Sequence, residues 1–320
     1  TGGQEAGGDD APTEIPVATI RGLNLGGRAR VGRLVFYGLP LQDLDVTVDA
    51  SGGRLRLAPL SAGLHGGRLR GSAAVDATGP KARVTLEQAL AGVDFGALLA
   101  GVSDVKNITG TMGLDLKGSA TGATDDELLR TLDGSLGFTL ANGVYQGLDV
   151  WYEIRRARNL IRRQAPPARE GAEQTPIKAL ELAGKITDGV LRTDRFSAEI
   201  PFLRVSGDAT VNLPEAKLDS QLTALVFEKP VFGEDRSLED LVNARLPLTI
   251  SGPVADPKVG VDFSKLVRDA LKDNVRQKLE DKLRDKLGLP APSTAPDGDQ
   301  SAPPADDPVN KFLNRLLKKK

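Results

Sequence analysis

The stretch Arg245-Leu246-Pro247-Leu248-Thr249-Ile250-Ser251-Gly252-Pro253-Val254-Ala255-Asp256-Pro257-Lys258-Val259-Gly260-Val261-Asp262-Phe263 decides the fold. Leu246, Leu248 and Ile250 recur every second residue, the spacing of a strand with one dry face. Gly252-Pro253 reads as a break and Asp256-Pro257 as a turn, after which Val259 opens a second short strand. The segment then runs into a charged helix. It holds no nucleophile beside a base and no paired acid and base, so its role is architectural, and function is expected from a surface.

Upstream, the same two-residue period fills most of the chain. Leu44, Val46 and Val48 alternate with Asp45 and Thr47, and Leu55 and Leu57 flank Arg56, with Ser51-Gly52-Gly53 supplying a hairpin turn between them. The pattern recurs at Leu69, Gly71, Ala73 and Val75, at Ala82, Val84 and Leu86, and at Ile108 to Leu116. It returns at Leu136, Phe138 and Leu140, at Leu180 to Ile186, and at Leu203 to Leu213. Asn142-Gly143 and Asp188-Gly189 read as tight turns. Such clean alternation predicts antiparallel strands wet on one side. Lengthened periods predict short helices over Ala91 to Val102, Thr124 to Leu132 and Leu148 to Arg163.

Composition narrows the function classes. The 320 residues are 40% hydrophobic, enough for a substantial core, and the 36 glycines suit turn-rich β-structure. A formal net charge of -1 provides no basic field for a nucleic-acid backbone, so nucleic acid is not an expected partner. The absence of Cys excludes a disulfide framework, and with a single His it argues against a zinc or copper site. No apolar run reaches about 18 residues, so no bilayer-spanning helix is expected. A start at Thr1, without an initiator Met or an apolar signal core, reads as a fragment or mature segment whose targeting sequence lies upstream or has been removed.

The organisation expected from these patterns is a flexible leader over 1–20, a β-domain over 21–263, a charged helix over 264–289, a Pro- and Asp-rich disordered linker over 290–308 and a short basic-apolar tail over 309–320. In the charged helix, Val267, Leu271, Val275, Leu279, Leu283 and Leu287 recur every four residues. That row drifts about 40° per step and defines no flat face. His65, in Gly63-Leu64-His65-Gly66-Gly67, has no partner identifiable by spacing and is read as structural. Asp125-Asp126 and Asp9-Asp10 are read as helix-start and linker charges. Nothing matches a P-loop, a nucleophile elbow or a dinucleotide fingerprint, and neither an enzyme nor a cofactor is expected.

Three stretches resemble the AsmA family. Leu132-Asp133-Gly134-Ser135-Leu136-Gly137-Phe138-Thr139-Leu140-Ala141-Asn142-Gly143-Val144-Tyr145-Gln146-Gly147-Leu148-Asp149 resembles a family block built on Leu132, Gly134, Leu140, Gly143, Gly147 and Asp149. Ile186 to Asp194 with Val205 to Leu213 resembles the family's paired strands, with Asp208 and Asn212 as departures. The opening stretch resembles the family's closing segment, with Pro253 in place of the usual Thr. The resemblance spans roughly residues 40 to 287. It implies a periplasmic protein tied to the inner membrane by an N-terminal helix absent from this chain, and a place among the repeating β-groove proteins implicated in moving phospholipid between bacterial membranes. The family's name is also associated with a scaffold for outer-membrane protein assembly or envelope integrity. An enzyme acting on envelope polymers would need a polar cleft that the sequence does not display.

The expected fold is therefore α+β and β-dominated: one long, twisted, mostly antiparallel sheet curved into an apolar groove, with short helices and a C-terminal helix. A sheet with one apolar face must cover it with another layer or a ligand, and helical residues are few. Buried methylenes contribute about 0.8 kcal/mol each, so an acyl chain of some fifteen would gain about 12 kcal/mol gross. The candidate lining residues are Leu136, Phe138, Leu140, Ile186, Leu203, Val205, Val211, Leu222, Leu248 and Ile250, which an ordinary sandwich core would also use. Charge placed at Leu140 or Val205 is expected to weaken lipid contact and spare the fold. Trp151, Arg155, Arg156, Arg158, Arg162 and Arg163 form a candidate headgroup or membrane contact, each basic group contributing about 1 kcal/mol near an anionic surface. The alternative is a helix that buries Trp151, Ile154 and Ile161 and solvates its arginines. Phospholipid acyl chains are the expected ligand, and a membrane surface or an envelope partner protein is expected for the C-terminal helix.

Overall fold

A computed structural model describes residues 13–36, 38–103, 105–161, 163–169, 171–230 and 241–261. Contacts divide the chain into one unit over Thr1–Asp262 and a second over Phe263–Lys320, and the described residues belong to the first. The expected charged helix, linker and tail lie outside the described residues.

Thirteen strands make one sheet in strict chain order: β1 (Leu25–Phe36), β2 (Leu39–Ser51), β3 (Arg54–Leu64), β4 (Gly67–Asp76), β5 (Ala82–Asp94), β6 (Ile108–Gly122), β7 (Asp133–Gln146), β8 (Gln174–Thr187), β9 (Val190–Ile200), β10 (Leu203–Asn212), β11 (Lys217–Val226), β12 (Arg245–Pro253) and β13 (Lys258–Val261). Every recorded pairing is antiparallel, as short turns demand. The order never returns β13 to β1, so the sheet is open and not a barrel. β1 and β13 are its edges, twelve residues and four residues long.

The turn chemistry explains most joints. Gly52 and Gly53 at φ 55° and 79°, and Asp188 and Gly189 at 47° and 71°, supply the paired positive φ of two-residue hairpins. Asn142-Gly143 departs from its reading as a turn. Asn142 has φ 50° inside β7, where the register against β6 shifts by one residue while that against β8 is kept. A left-handed residue within a ladder makes a bulge, and the strand continues to Gln146. Gly252-Pro253 also stays within β12, because an edge-side Pro needs no donor, and the chain turns only afterwards at Asp256.

Four short helices occupy the strand ends: α1 (Val17–Gly22), α2 (Phe95–Val102), α3 (Asp125–Arg130) and α4 (Val150–Ile161). α1, within the expected leader, is held by Arg21, whose Nε donates to Ala77 O at 2.6 Å. α2 begins later than its periodicity suggests because β5 runs on to Asp94, whose carboxylate caps Ala97 N at 3.0 Å. Thr124 caps α3 through Glu127 N while the Glu127 carboxylate accepts from Ala123 N, and Asp125 and Asp126 sit in its first turn as expected. A core of Leu41, Leu44, Val46, Ala62, Leu64, Val93, Met112 and Leu140 forms on one side of the sheet, with Phe95 and Leu98 of α2 against it.

The sheet is coiled. Asn107, just before β6, donates to Ala255 O in the β12–β13 turn at 3.4 Å. In a flat sheet six strand spacings would hold β6 and β12 roughly 29 Å apart. Accumulated right-handed strand twist brings them together.

Candidate functional site

The register aligns the apolar residues into rows that cross the strands on one face. One row reads Val93, Met112, Leu140, Leu180, Ala198, Val205, Ala224 and Leu246 from β5 to β12. The next reads Ala62, Leu69, Leu90, Leu114, Phe138, Leu182 and Phe196. A third runs through Leu57, Ala73, Leu86, Gly118, Gly134, Ile186, Leu191, Val211 and Leu218. Gly207, Leu222 and Leu248 form a further row, and Ala209, Ser220 and Ile250 the one beside it. All ten candidate lining residues therefore share one face, because an unbroken period of two admits no other placement.

Polar groups on that face are turned back to the backbone. Gln88 Nε2 donates to Ser72 O at 2.9 Å. The buried Ser220 hydroxyl accepts from Ile250 N and donates to Ile250 O, both at 2.9 Å. Thr193 bridges Ala209 in the same way. The inward surface is thus uncharged and presents no group demanding a polar ligand.

The opposite face carries the charge, in cross-strand pairs. Arg54 faces Asp76 at 3.2 Å, Lys117 faces Glu87 at 2.5 Å and Lys178 meets Glu199 at 2.6 Å. The hydrogen bond from Lys178 holds the Glu199 carboxyl below its ordinary range, and that from Arg28 does the same for Asp45. Such exposed pairs contribute little each, so they mark this face as the solvated one more than they hold the sheet together.

Exposure separates the ten candidates. Leu140, Ile186, Leu203, Val205, Leu222 and Leu248 are buried, whereas Leu136, Phe138, Val211 and Ile250 are half-exposed. Further toward the N-terminus, Leu57, Leu60, Leu69, Leu86, Leu90, Leu114 and Leu116 are likewise partly buried, most of them packed against the edge of the core. Sequence reasoning placed most of these on strands without singling them out. Their alternation equals that of the named ten, and only neighbouring elements distinguish them. At the β1 edge, Leu25, Val35 and Phe36 are 48%, 66% and 56% exposed.

The basic run divides by helical geometry. Trp151, Ile154, Arg155 and Arg158 are buried, and their i, i+3, i+4, i+7 spacing is a single stripe of α4. Trp151 Nε1 donates to Pro201 O at 2.8 Å and its indole meets Phe202 edge-on. Arg156 is exposed and pairs with Glu153, and Arg163 is exposed, so these two remain at the surface. Arg162 lies outside the described residues.

Among the described residues, no cluster of three His, Asp or Glu side chains could hold a metal, and no helix is long and apolar enough to cross a membrane. His65 stands in the β3–β4 turn, where its carbonyl accepts Asp94 N at 3.1 Å. Its Nε2 is enclosed without a hydrogen-bond partner among the described residues.

No solved structure matches the chain. Protein AsmA of Escherichia coli (strain K12) is similar, at 21% identity over 238 residues, which covers 74% of this chain and 38% of that protein. The chain thus spans well under half the length of that relative. Residues 21–196, more than half of the chain, match the AsmA family, and the chain belongs to it.

Proposed function

We propose that this chain is the periplasmic part of an inner-membrane-anchored protein that binds phospholipid by its acyl chains and conveys it between the inner and outer membranes. The conduit is a groove formed by the apolar face of the coiled sheet. One observation carries the reading: two uncharged apolar rows, one through Leu69, Leu90 and Leu114 and one through Ala73 and Leu86, continue across the strands and stay only partly buried over β4 to β7. Apolar rows left accessible in this way are where a binding surface is ordinarily found. The longest row, from β3 to β11, crosses eight strand spacings of about 4.8 Å and so reaches ~38 Å along the sheet. Because successive rows resemble one another and hold no polar anchor, an acyl chain gains similar burial at each and can slide. No catalytic group is assigned, and the function is non-enzymatic. Membership of the AsmA family supports an envelope role.

Purification from membranes in mild detergent followed by lipid extraction and mass spectrometry tests this. Phospholipid should copurify, and the delipidated protein should take up a fluorescent phospholipid from vesicles. A preparation that neither carries nor acquires lipid would overturn the reading.

The exposed β1 edge favours a second reading, a scaffold for outer-membrane protein assembly or envelope integrity. A twelve-residue strand that pairs on one side only among the described residues, with exposed Leu25 and Val35, is a template for an added strand. Arg33→Pro within β1 would then abolish partner capture and leave lipid binding intact.

A further inference from the structure

The apolar face does not behave uniformly along its length. Over β3 to β7 the Val93–Met112–Leu140 row is buried, Phe138 packs against Phe95 of α2, and Leu86, Leu114 and Leu116 are only partly buried. Over β9 to β12 the row through Ala224 and Leu246 is buried, as it is at Val93, Met112 and Leu140, but two positions on, Leu222 and Leu248 of β11 and β12 are buried where Leu114 and Phe138 are not. The change coincides with α4. Its start is pinned to β8, where Thr175 Oγ1 donates to Leu148 O at 2.7 Å and accepts from Val150 N at 3.1 Å. Asp149 caps the same turn through Tyr152 N. In the same first turn, Trp151 fastens the helix to the β9–β10 turn. α4 also touches β13 across a cleft of ≈ 420 Å³ lined by Glu153, Arg156 and Val259. Twelve helical residues reach about 18 Å. Five strand spacings from β8 to β13 are about 24 Å. The helix is therefore long enough to bridge most of this end of the sheet, and it buries its own Trp151 and Ile154 in doing so.

We infer that α4 is a stop across the proposed groove, so that the acyl-binding floor is confined to β3–β8 and ends where Trp151 clamps the β9–β10 turn. The inference rests on the lipid reading and adds a boundary to it. The ligand part that fits the floor is an uncharged hydrocarbon chain, since inward positions there carry no charge while the charged pairs stand on the other face. Headgroups stay outside the floor for the same reason.

The test uses the full chain with vesicles of phosphatidylethanolamine and phosphatidylglycerol carrying a trace of lipid with a diazirine in its acyl chain. After illumination, crosslinked residues are mapped by mass spectrometry. Crosslinks should fall on β3–β8 and be about tenfold fewer on β9–β12, the ratio expected from roughly two methylenes of lost burial per contact. In Trp151→Ala, crosslinks on β10–β12 should rise to the level of β3–β8. Thr175→Val, which loosens the helix start without removing a buried ring, should move the map in the same direction should Trp151→Ala fail to fold. An even distribution in the unmodified chain would overturn the stop, as would an unchanged map in a folded variant. Crosslinks nowhere would instead overturn the lipid reading itself.

Discussion

The β3–β7 and β9–β12 regions of the sheet share one alternating pattern and one apolar face, yet they differ in what lies over that face. Both hold sealed positions, Leu140 in the first and Leu203 and Leu246 in the second, but two positions along the strand Leu114 and Phe138 are only partly buried in the first where Leu222 and Leu248 are sealed in the second. Period-two patterning fixes which way a side chain points and says nothing about what will cover it. Cover is a property of other elements: Phe95 and Leu98 of α2 pack on the first region, and Trp151 of α4 meets Phe202 at the β9–β10 turn of the second.

The comparison breaks most sharply under charge. Leu203→Asp places a carboxylate where no water reaches, and it should cost several kcal/mol, a large share of the roughly 5–15 kcal/mol that holds a domain together. Leu114→Asp puts the same group on a half-exposed floor and should cost about 1 kcal/mol, with lipid uptake reduced and the far-UV spectrum kept. Chemical denaturation followed by circular dichroism separates the two, and equal losses would erase the distinction between the regions. Leu140 and Val205, expected from sequence to tolerate charge, are 2% and 6% exposed, which moves both into the first group. Trp151→Ala comes next: a buried indole and its hydrogen bond to Pro201 O are lost, at about 3 kcal/mol, and thermal melting should show it.

Most of the fold was legible in the sequence because hairpin meanders encode themselves locally. Each strand finds its partner in the adjacent strand, turn residues announce the reversals, and alternation sets the face. What escaped has identifiable causes. Asn142-Gly143 has the composition of a turn, but apolar residues on both sides keep the strand paired and turn the pair into a bulge. The opening segment at Arg245 read as architectural and proves to be β12, tied across the coiled sheet to Asn107 by a contact that no local pattern announces. For the candidate site, the shared face of all ten lining residues was readable, whereas their exposure was not. The run from Trp151 to Arg158 looked like a basic surface because the sequence lists its arginines together. On a helix, residues 151, 154, 155 and 158 form one stripe, and that stripe is the buried one.

A smaller effect probes the close strand approach beneath the open region. At Gly134 an added Cβ would overlap the carbonyl oxygen of Lys117, a backbone atom that cannot swing aside. Gly134→Ala should force β6 and β7 apart and cost about 1–3 kcal/mol. Hydrogen exchange should localise the loosening to the Leu116–Leu136 neighbourhood. An unchanged exchange pattern would mean that the floor is more pliable than a tightly paired ladder permits.

The smallest effect lies on the charged face, where the two regions do not differ: Arg54–Asp76 stands behind one and Lys178–Glu199 behind the other. The Asp76 carboxyl is drawn down to about 2, chiefly because it accepts from the Thr78 hydroxyl at 2.6 Å and from Thr78 N at 3.0 Å, with Arg54 adding less. A carboxyl whose folded pKa lies below its unfolded value of about 3.9 contributes its full stabilisation above that value. The contribution fades as pH falls and is lost as pH passes down through about 2. Carboxyl NMR of Asp76 should give a midpoint near that value, and Thr78→Val should raise it. Because the side chain of Arg54 is 72% exposed, added salt should weaken its share and leave the hydrogen-bonded share intact. A midpoint that climbs with salt to the ordinary range would instead make Arg54 the main cause. The charged face behind the open region would then depend on ion pairing, and the local turn geometry at Thr78 would matter little.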